Sequence, residues 1–245
     1  MAIISSKRSE LGEKVKAYHE KLKKNIIVAL VFLAAAIVGG VIIPFLAVPC
    51  FLGFFVCLIL CKVTYDQGRI YESGFRGESE SEELIARSLP KDYYGIPNVR
   101  VQYDGKESEL DMVVVGKTGV FIVETKNHGG TIWGSYEEHQ WMQMKVGRGG
   151  TPYSKEFYSP IKQVKTHIYR LAHFLRQNGV QVHVDAMVVF ANPDTVVNME
   201  GMQGEIPVYA NDGYGATQIR EFITGHEVVL TDAMVDKIRT MLEKL

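Results

Sequence analysis

Hydrophobic residues fall into three patterns along this chain. From Ile26 to Cys61 there are 36 positions without a charge, far more than the roughly 20 apolar residues one helix needs to cross a bilayer. Met112 to Val115, Val120 to Val123 and Val184 to Phe190 are short runs rich in valine. They lack polar alternation, the mark of strands covered on both faces. From Ile161 to Gln177 the apolar residues Ile161, Val164, Ile168, Leu171, Phe174 and Leu175 recur at helical spacing. Strands alternating with amphipathic helices predict an α/β sandwich with a mixed sheet.

The uncharged segment is broken near its middle by Gly39-Gly40, Pro44 and Pro49. Proline disrupts helical hydrogen bonding, so residues 25–63 are expected to form a two-span transmembrane hairpin, with spans at about 26–43 and 49–63. Lys21, Lys23, Lys24 and Lys62 flank the hairpin, and the turn carries no charge. Cytoplasmic flanks are the positive ones, so both termini are expected in the cytoplasm. Residues 1–24 form a basic juxtamembrane segment, 64–76 a polar connector and 77–245 the domain.

Within that domain residues 77–89 read as a helix with an acidic first turn that suits the helix dipole. Residues 90–97 read as a break, 99–103 as a strand and Asp104-Gly105 as a turn. Further strands are expected at 131–135 and 139–146, and a flexible glycine-rich loop at 147–160. The clearest helix, 161–177, ends at Gly179. A strand at 206–210 and helices at 215–224 and 231–244 follow. Trp133 and Trp141 read as core or edge packing.

Charge and cysteine content narrow the functional classes. Residues 1–63 carry a net +5, and residues 64–245, with 19 basic and 25 acidic side chains, a net −6. Cys50, Cys57 and Cys61 all lie in the apolar segment, which excludes a disulfide framework, a thiolate zinc site and a cysteine nucleophile from the domain. The chain contains no phosphate-binding P-loop, no dinucleotide fingerprint and no nucleophile elbow.

Chemistry concentrates at Glu109–Lys126, which reads ELDMVVVGKTGVFIVETK. With Gly116-Lys117-Thr118-Gly119 as a hairpin loop, Val115 faces Val120 and Asp111 falls opposite Glu124. Opposed residues share a face with Cβ atoms about 5 Å apart. Two carboxylates at that spacing repel unless a proton or cation lies between them. Lys126 points to the same face as Glu124. Two readings remain open: a cross-strand ion pair of Glu109 with Lys126, or a hard divalent cation held by oxygen ligands. Lys162, Lys165 and Arg170 lie on the polar face of the 161–177 helix, where they are either phosphate contacts or solvated surface.

The order of these residues resembles the nuclease-related (NERD) domain, a family within the PD-(D/E)xK nuclease superfamily. Gly77-Glu78 opens an acidic helix, Asp111 precedes Gly119-Val-Phe-Ile-Val-Glu124-Thr125-Lys126, Trp141 follows, and Pro160 to Gln163 starts a helix. The resemblance runs over residues 74–190 and departs at Ser159-Pro160, where Asn-Pro is expected. It implies a three-layer α/β/α restriction-endonuclease-like core and Mg2+- or Mn2+-dependent hydrolysis of nucleic acid, DNA before RNA. It casts Asp111, Glu124 and the Thr125 carbonyl as metal ligands, with Glu78 contributing and Glu82 a weaker candidate. Lys126 and Gln163 complete the implied site. The alternative is a non-catalytic, membrane-tethered module that binds nucleic acid or protein and retains the fold.

Overall fold

The computed structural model describes residues 1–5, 9–147, 149–200 and 204–245. It divides into two compact units, residues 8–75 and residues 1–7 with 76–245.

The first unit is a pair of long helices. Helix α1 (Glu10–Ile42) is capped by Ser9, whose Oγ accepts from the Gly12 amide at 3.2 Å. Helix α2 begins at Pro44 and runs to Ser88. Pro44 occupies the first helical position, where no amide is needed, so the break is confined to Ile43. Pro49 lies inside α2 and costs it one hydrogen bond to the preceding turn. The expected turn at 44–49 and the expected connector at 64–76 are therefore both helical. No proline follows Pro49 in this stretch, and isolated glycines weaken a helix without ending it. One such glycine, Gly68, has a use: a Cβ there would lie 2.0 Å from the Tyr18 ring. Asn25 donates to Thr64 at 3.1 Å between the two helices. Both helices are long and apolar enough to cross a membrane, with most of the apolar window exposed.

The second unit is α/β. Its main sheet has the order β1-β2-β3-β4-β8-β10, formed by β1 (Ile3–Ile4), β2 (Tyr94–Tyr103), β3 (Lys106–Gly116), β4 (Gly119–Lys126), β8 (Val184–Phe190) and β10 (Val208–Ala210). The expected break at 90–97 is shorter than read, because β2 already starts at Tyr94. Pro97 is accommodated in it because β1 covers only Tyr94 and Gly95, leaving Pro97 on a strand edge where a missing amide is tolerated. Asp104 (φ 53°) and Gly105 (φ 67°) make the two-residue turn into β3.

Alternating side chains divide the core in two. Val113, Val115, Val120 and Ile122 pack with Ile161, Val164, Leu171 and Leu175 of α3 (Pro160–Gln177), and with Val235, Ile238 and Leu242 of α5 (Asp232–Leu242). On the opposite face, Met112, Val114, Phe121 and Val123 pack with Leu84, Ile85 and Leu89 at the end of α2, and with Ile219 and Ile223 of α4 (Gly215–Thr224). The sheet is mixed and lies between two helical layers, as expected. Each fully buried Val or Ile contributes about 1.5–3 kcal/mol to this arrangement.

A second sheet, order β7-β6-β5-β9, comprises β5 (Gly130–Ser135), β6 (Gln140–Val146), β7 (Pro152–Tyr158) and β9 (Thr195–Glu200). Much of the expected loop at 147–160 is thus strand β7, paired with β6 from Val146↔Pro152 to Gln140↔Tyr158. The parallel pair β4/β8 passes into the parallel pair β5/β9 at a shared elbow. Ala191 N donates to Lys126 O at 3.0 Å, Thr195 Oγ1 to His128 O at 2.5 Å and Gly130 N to Asp194 O at 3.0 Å.

Candidate functional site

The β3–β4 hairpin has the expected register, from Gly116↔Gly119 and Val115↔Val120 out to Met112↔Val123. Its loop is tighter than expected: Gly116 and Gly119 are paired, and only Lys117 and Thr118 turn. The tip is fixed by Val229 N and Leu230 N, each donating to Lys117 O at 2.9 Å, and by Thr118 Oγ1, which donates to Ile223 O at 2.7 Å.

Backbone pairing stops at Met112↔Val123, one step before Asp111 and Glu124. On the other flank the β2–β3 register runs from Tyr94↔Val115 to Pro97↔Met112 and resumes at Val99↔Leu110. The residue opposite Asp111 there is Asn98, buried and in a left-handed conformation with φ 52°, which Asn tolerates better than most residues. The sheet therefore loosens on both sides of Asp111. One carboxylate oxygen, Oδ2, accepts from the Thr125 amide at 2.7 Å.

Glu124 and Lys126 continue the face of Val120 and Ile122, towards α3. Glu124 is fully buried, and Lys126 Nζ donates to its Oε1 at 2.6 Å and to Gln163 Oε1 at 2.9 Å. Gln163 reaches the site because α3 starts where it does: Ser159 caps the helix, accepting from Lys162 N, and Pro160 occupies its first turn. Ser159 performs the capping role open to the expected asparagine. One helical turn beyond Gln163, His167 places Nδ1 3.3 Å from Glu124 Oε2. Neither of those two atoms has a hydrogen-bond partner in the structure.

The electrostatics follow from this geometry. Burial, and then the Glu124 charge, push Asp111 well above the usual carboxylate range, against the pull of Lys126 and the Thr125 amide. Burial would also raise Glu124, but His167 and Lys126 outweigh it and hold that carboxyl below its ordinary value. Two facing acids are thus driven apart, one towards protonation and one held ionised. Burial, then Lys126 and Lys145, lower His128 to about 4. His128 stacks on Phe157 at a centroid distance of 4.4 Å.

Glu78 lies in the C-terminal part of α2, where its charge reaches Asp111. The helix approaches the end of β4 closely: Thr125 Oγ1 donates to Ser81 Oγ at 2.9 Å, and a Cβ on Gly77 would lie 2.5 Å from Asn127 Cβ. Glu82 is half-buried one turn further along.

The Glu109–Lys126 ion pair is not formed. Glu109 lies 3.6 Å from Arg100 across β2, because Lys126 is drawn to the buried Glu124. Three basic side chains of α3 have partners within the domain. Lys162 is 3.8 Å from Glu137, Lys165 lies over the Tyr136 ring at 4.3 Å, and Arg170 donates to Glu107 O at 2.7 Å and to Ser108 Oγ.

His167 and Asn98 were not singled out by the sequence reading. For His167 a signal exists, its i+4 spacing from Gln163 on one helix face. For Asn98 none does without the β2 register.

The donor set suits a hard cation. Asp111 and Glu124 offer carboxylates, Glu124 Oε2 accepts no hydrogen bond, and the Thr125 carbonyl follows Glu124 directly in the chain. Among the described residues no group of three His, Cys, Asp or Glu side chains forms a metal cage. Magnesium, however, commonly takes one or two carboxylates and completes its shell with water and substrate phosphates.

Residues 73–191 match the family model of the nuclease-related domain, so the chain carries such a domain over the segment that contains all these side chains. An uncharacterized protein of Bacillus anthracis is 34% identical over 93 residues, 38% of this chain and 43% of that protein; the chain thus spans less than half the length of that relative. No solved structure matches the chain.

Proposed function

We propose that this chain, with its nuclease-related domain, is a divalent-metal-dependent phosphodiesterase acting on nucleic acid, DNA before RNA. The observation that carries this is the convergence of Asp111, Glu124, Lys126 and Gln163 at the end of one hairpin. Asp111 and Glu124, with the Thr125 carbonyl and a contribution from Glu78, would hold Mg2+ or Mn2+. The cation would supply Lewis acidity and an activated water.

The chain's own groups account for the rest. Lys126, only 18% exposed, presents a charge that water screens weakly, so it stabilises negative charge developing on a phosphate. Gln163 and Glu124 hold its ammonium in one place. His167 keeps Glu124 ionised, and the apolar walls of β3 and β4 exclude competing water. In this reading Lys162, Lys165 and Arg170 would exchange intramolecular partners for backbone phosphates.

The two apolar helices would anchor the protein through residues 26–63 in the plasma or inner membrane, with both termini and the domain in the cytoplasm. The flanking lysines support this orientation. A reporter fused after Leu245 should be active only in its cytoplasmic form.

The full chain in detergent micelles, given plasmid DNA or structured RNA with Mg2+ or Mn2+, should cleave. Chelation, Asp111→Asn and Glu124→Gln should each abolish cleavage. A second reading, a non-catalytic tethered module, is favoured by the net −6 of residues 64–245 and by the internal engagement of the α3 cations. No cleavage together with no thermal response to either metal would establish that reading instead.

A further inference from the structure

The second sheet has one face towards the core and one towards solvent. Ile132, Trp141 and Gln143 are buried, while the alternate residues Trp133 and Met142 are each 40% exposed. Trp133 pairs with Met142, and Met142 with Glu156, so the three form one row across the outer face. Here a cavity of about 510 Å3 opens, lined by Trp133, Met142, Glu138, Glu156 and Glu200 among others, and by no lysine or arginine. It shares no residue with the site above. Among the described residues, no cation is ion-paired with any of the three glutamates.

We propose that this cavity docks a basic peptide segment of a partner protein, whose arginine or lysine side chain enters over Trp133 between the glutamates. Charge complementarity selects the occupant. Three carboxylates around one opening repel a phosphate backbone or an anionic bilayer. A neutral apolar partner would bury those carboxylates without compensation. A guanidinium or ammonium meets both demands, since the Trp face attracts cations and the glutamates supply acceptors. The volume falls in the range that admits a side chain with its flanking backbone. The site is independent of the nuclease reading.

The test uses the full chain in uncharged detergent micelles. Calorimetric titration compares a blocked pentapeptide bearing two arginines with the same peptide bearing two citrullines, which keep shape but lose charge. The arginine peptide should bind saturably and at least tenfold more tightly, with the preference shrinking as salt is raised. Trp133→Ala and the double variant Glu156→Gln/Glu200→Gln should each weaken it at least tenfold, and the double variant should keep its thermal midpoint within about 2 °C of the wild type because both glutamates are exposed. Absence of saturable binding, equal binding of both peptides, or full affinity in either variant would overturn the proposal. So would competition from a short DNA duplex or phosphatidylserine vesicles that the same variants abolish.

Discussion

Replacing Asp111 with asparagine tests the central electrostatic claim, because it removes one charge and almost no volume. Opposed carboxylates about 5 Å apart repel by about 3 kcal/mol at an effective dielectric of 20. Lys126, 2.6 Å from Glu124, cancels much of this, leaving about 1–2 kcal/mol. Asparagine forfeits the charge-assisted part of the bond from Thr125 N, about 1 kcal/mol, but also escapes the burial of a charge. Without metal, Asp111→Asn should therefore be neutral to about 1 kcal/mol more stable at pH 7, a rise of about 2–4 °C for a domain of this size. The pH dependence has a definite sign. A folded-state pKa raised by burial and Glu124 means that the wild-type carboxyl stabilises the fold at low pH. That contribution is lost as pH rises from the unfolded value, about 3.9, through the raised one. The advantage of the variant should thus vanish near pH 4 and be complete above the raised value. With Mg2+ at ten times its Kd, the wild type should gain about 1.4 kcal/mol and the variant almost nothing. The assay is thermal unfolding of the full chain from pH 4 to 8, with and without Mg2+. A variant less stable than wild type by more than about 1 kcal/mol without metal, with an undiminished metal response, would refute the reasoning.

Three other perturbations separate the remaining roles. Lys126→Gln leaves Glu124 buried with only His167 beside it and should cost about 3 kcal/mol; cleavage should fall at least about 100-fold, while the metal-induced thermal shift is at least as large as in the wild type, since a bound cation replaces the lost charge. His128, lowered to about 4, stays neutral in the folded state while the unfolded chain protonates, so stability should decline as pH falls from about 6.5 towards 4. His128→Phe, which keeps the stack on Phe157, should remove about 1–2 kcal/mol of that decline in pH-dependent denaturation, after allowance for solvent screening. In Gly77→Ala the helical preference for alanine, about 1 kcal/mol, opposes a Cβ placed 2.5 Å from Asn127. Overpacking of about 1–3 kcal/mol should win, lowering the melting temperature and cleavage, and adding Asn127→Gly should restore both.

The legible parts of the structure were those where pattern and geometry coincide. The hairpin register follows from two valine-rich runs around Lys117-Thr118, and Asp111 and Glu124 follow from the register. The α3 helix follows from its stripe and from Ser159-Pro160 at its start. The second sheet was legible in part: β5 and β6 match the strands expected at 131–135 and 139–146, whereas β7 and β9 were missed. Strand β7, PYSKEFY, is an edge strand with little buried surface, so no alternation marks it. The extension of α2 through 64–76 was hidden because those residues carry no apolar stripe; the helix persists there for want of a breaker. The partner of Lys126 stayed open in the sequence for a physical reason. Sequence spacing ranks Glu109 and Glu124 equally, but only the buried acid of the two needs the cation.

The elbow where β4/β8 pass into β5/β9 has a consequence for motion. Its hydrogen bonds from Ala191, Thr195 and Gly130 attach to the backbone within four residues of Lys126. Unzipping the second sheet from this end would release the peptide group that carries the lysine, so the two regions form one cooperative opening unit. In amide hydrogen exchange, Gly130, Thr195 and Ala191 should lose protection at the same free energy as the β4 amides, rather than with the exposed strand β7. The small sheet, with β5–β7 inserted between β4 and α3 and β9 following β8, would act in this way as a clamp on the backbone that carries Lys126.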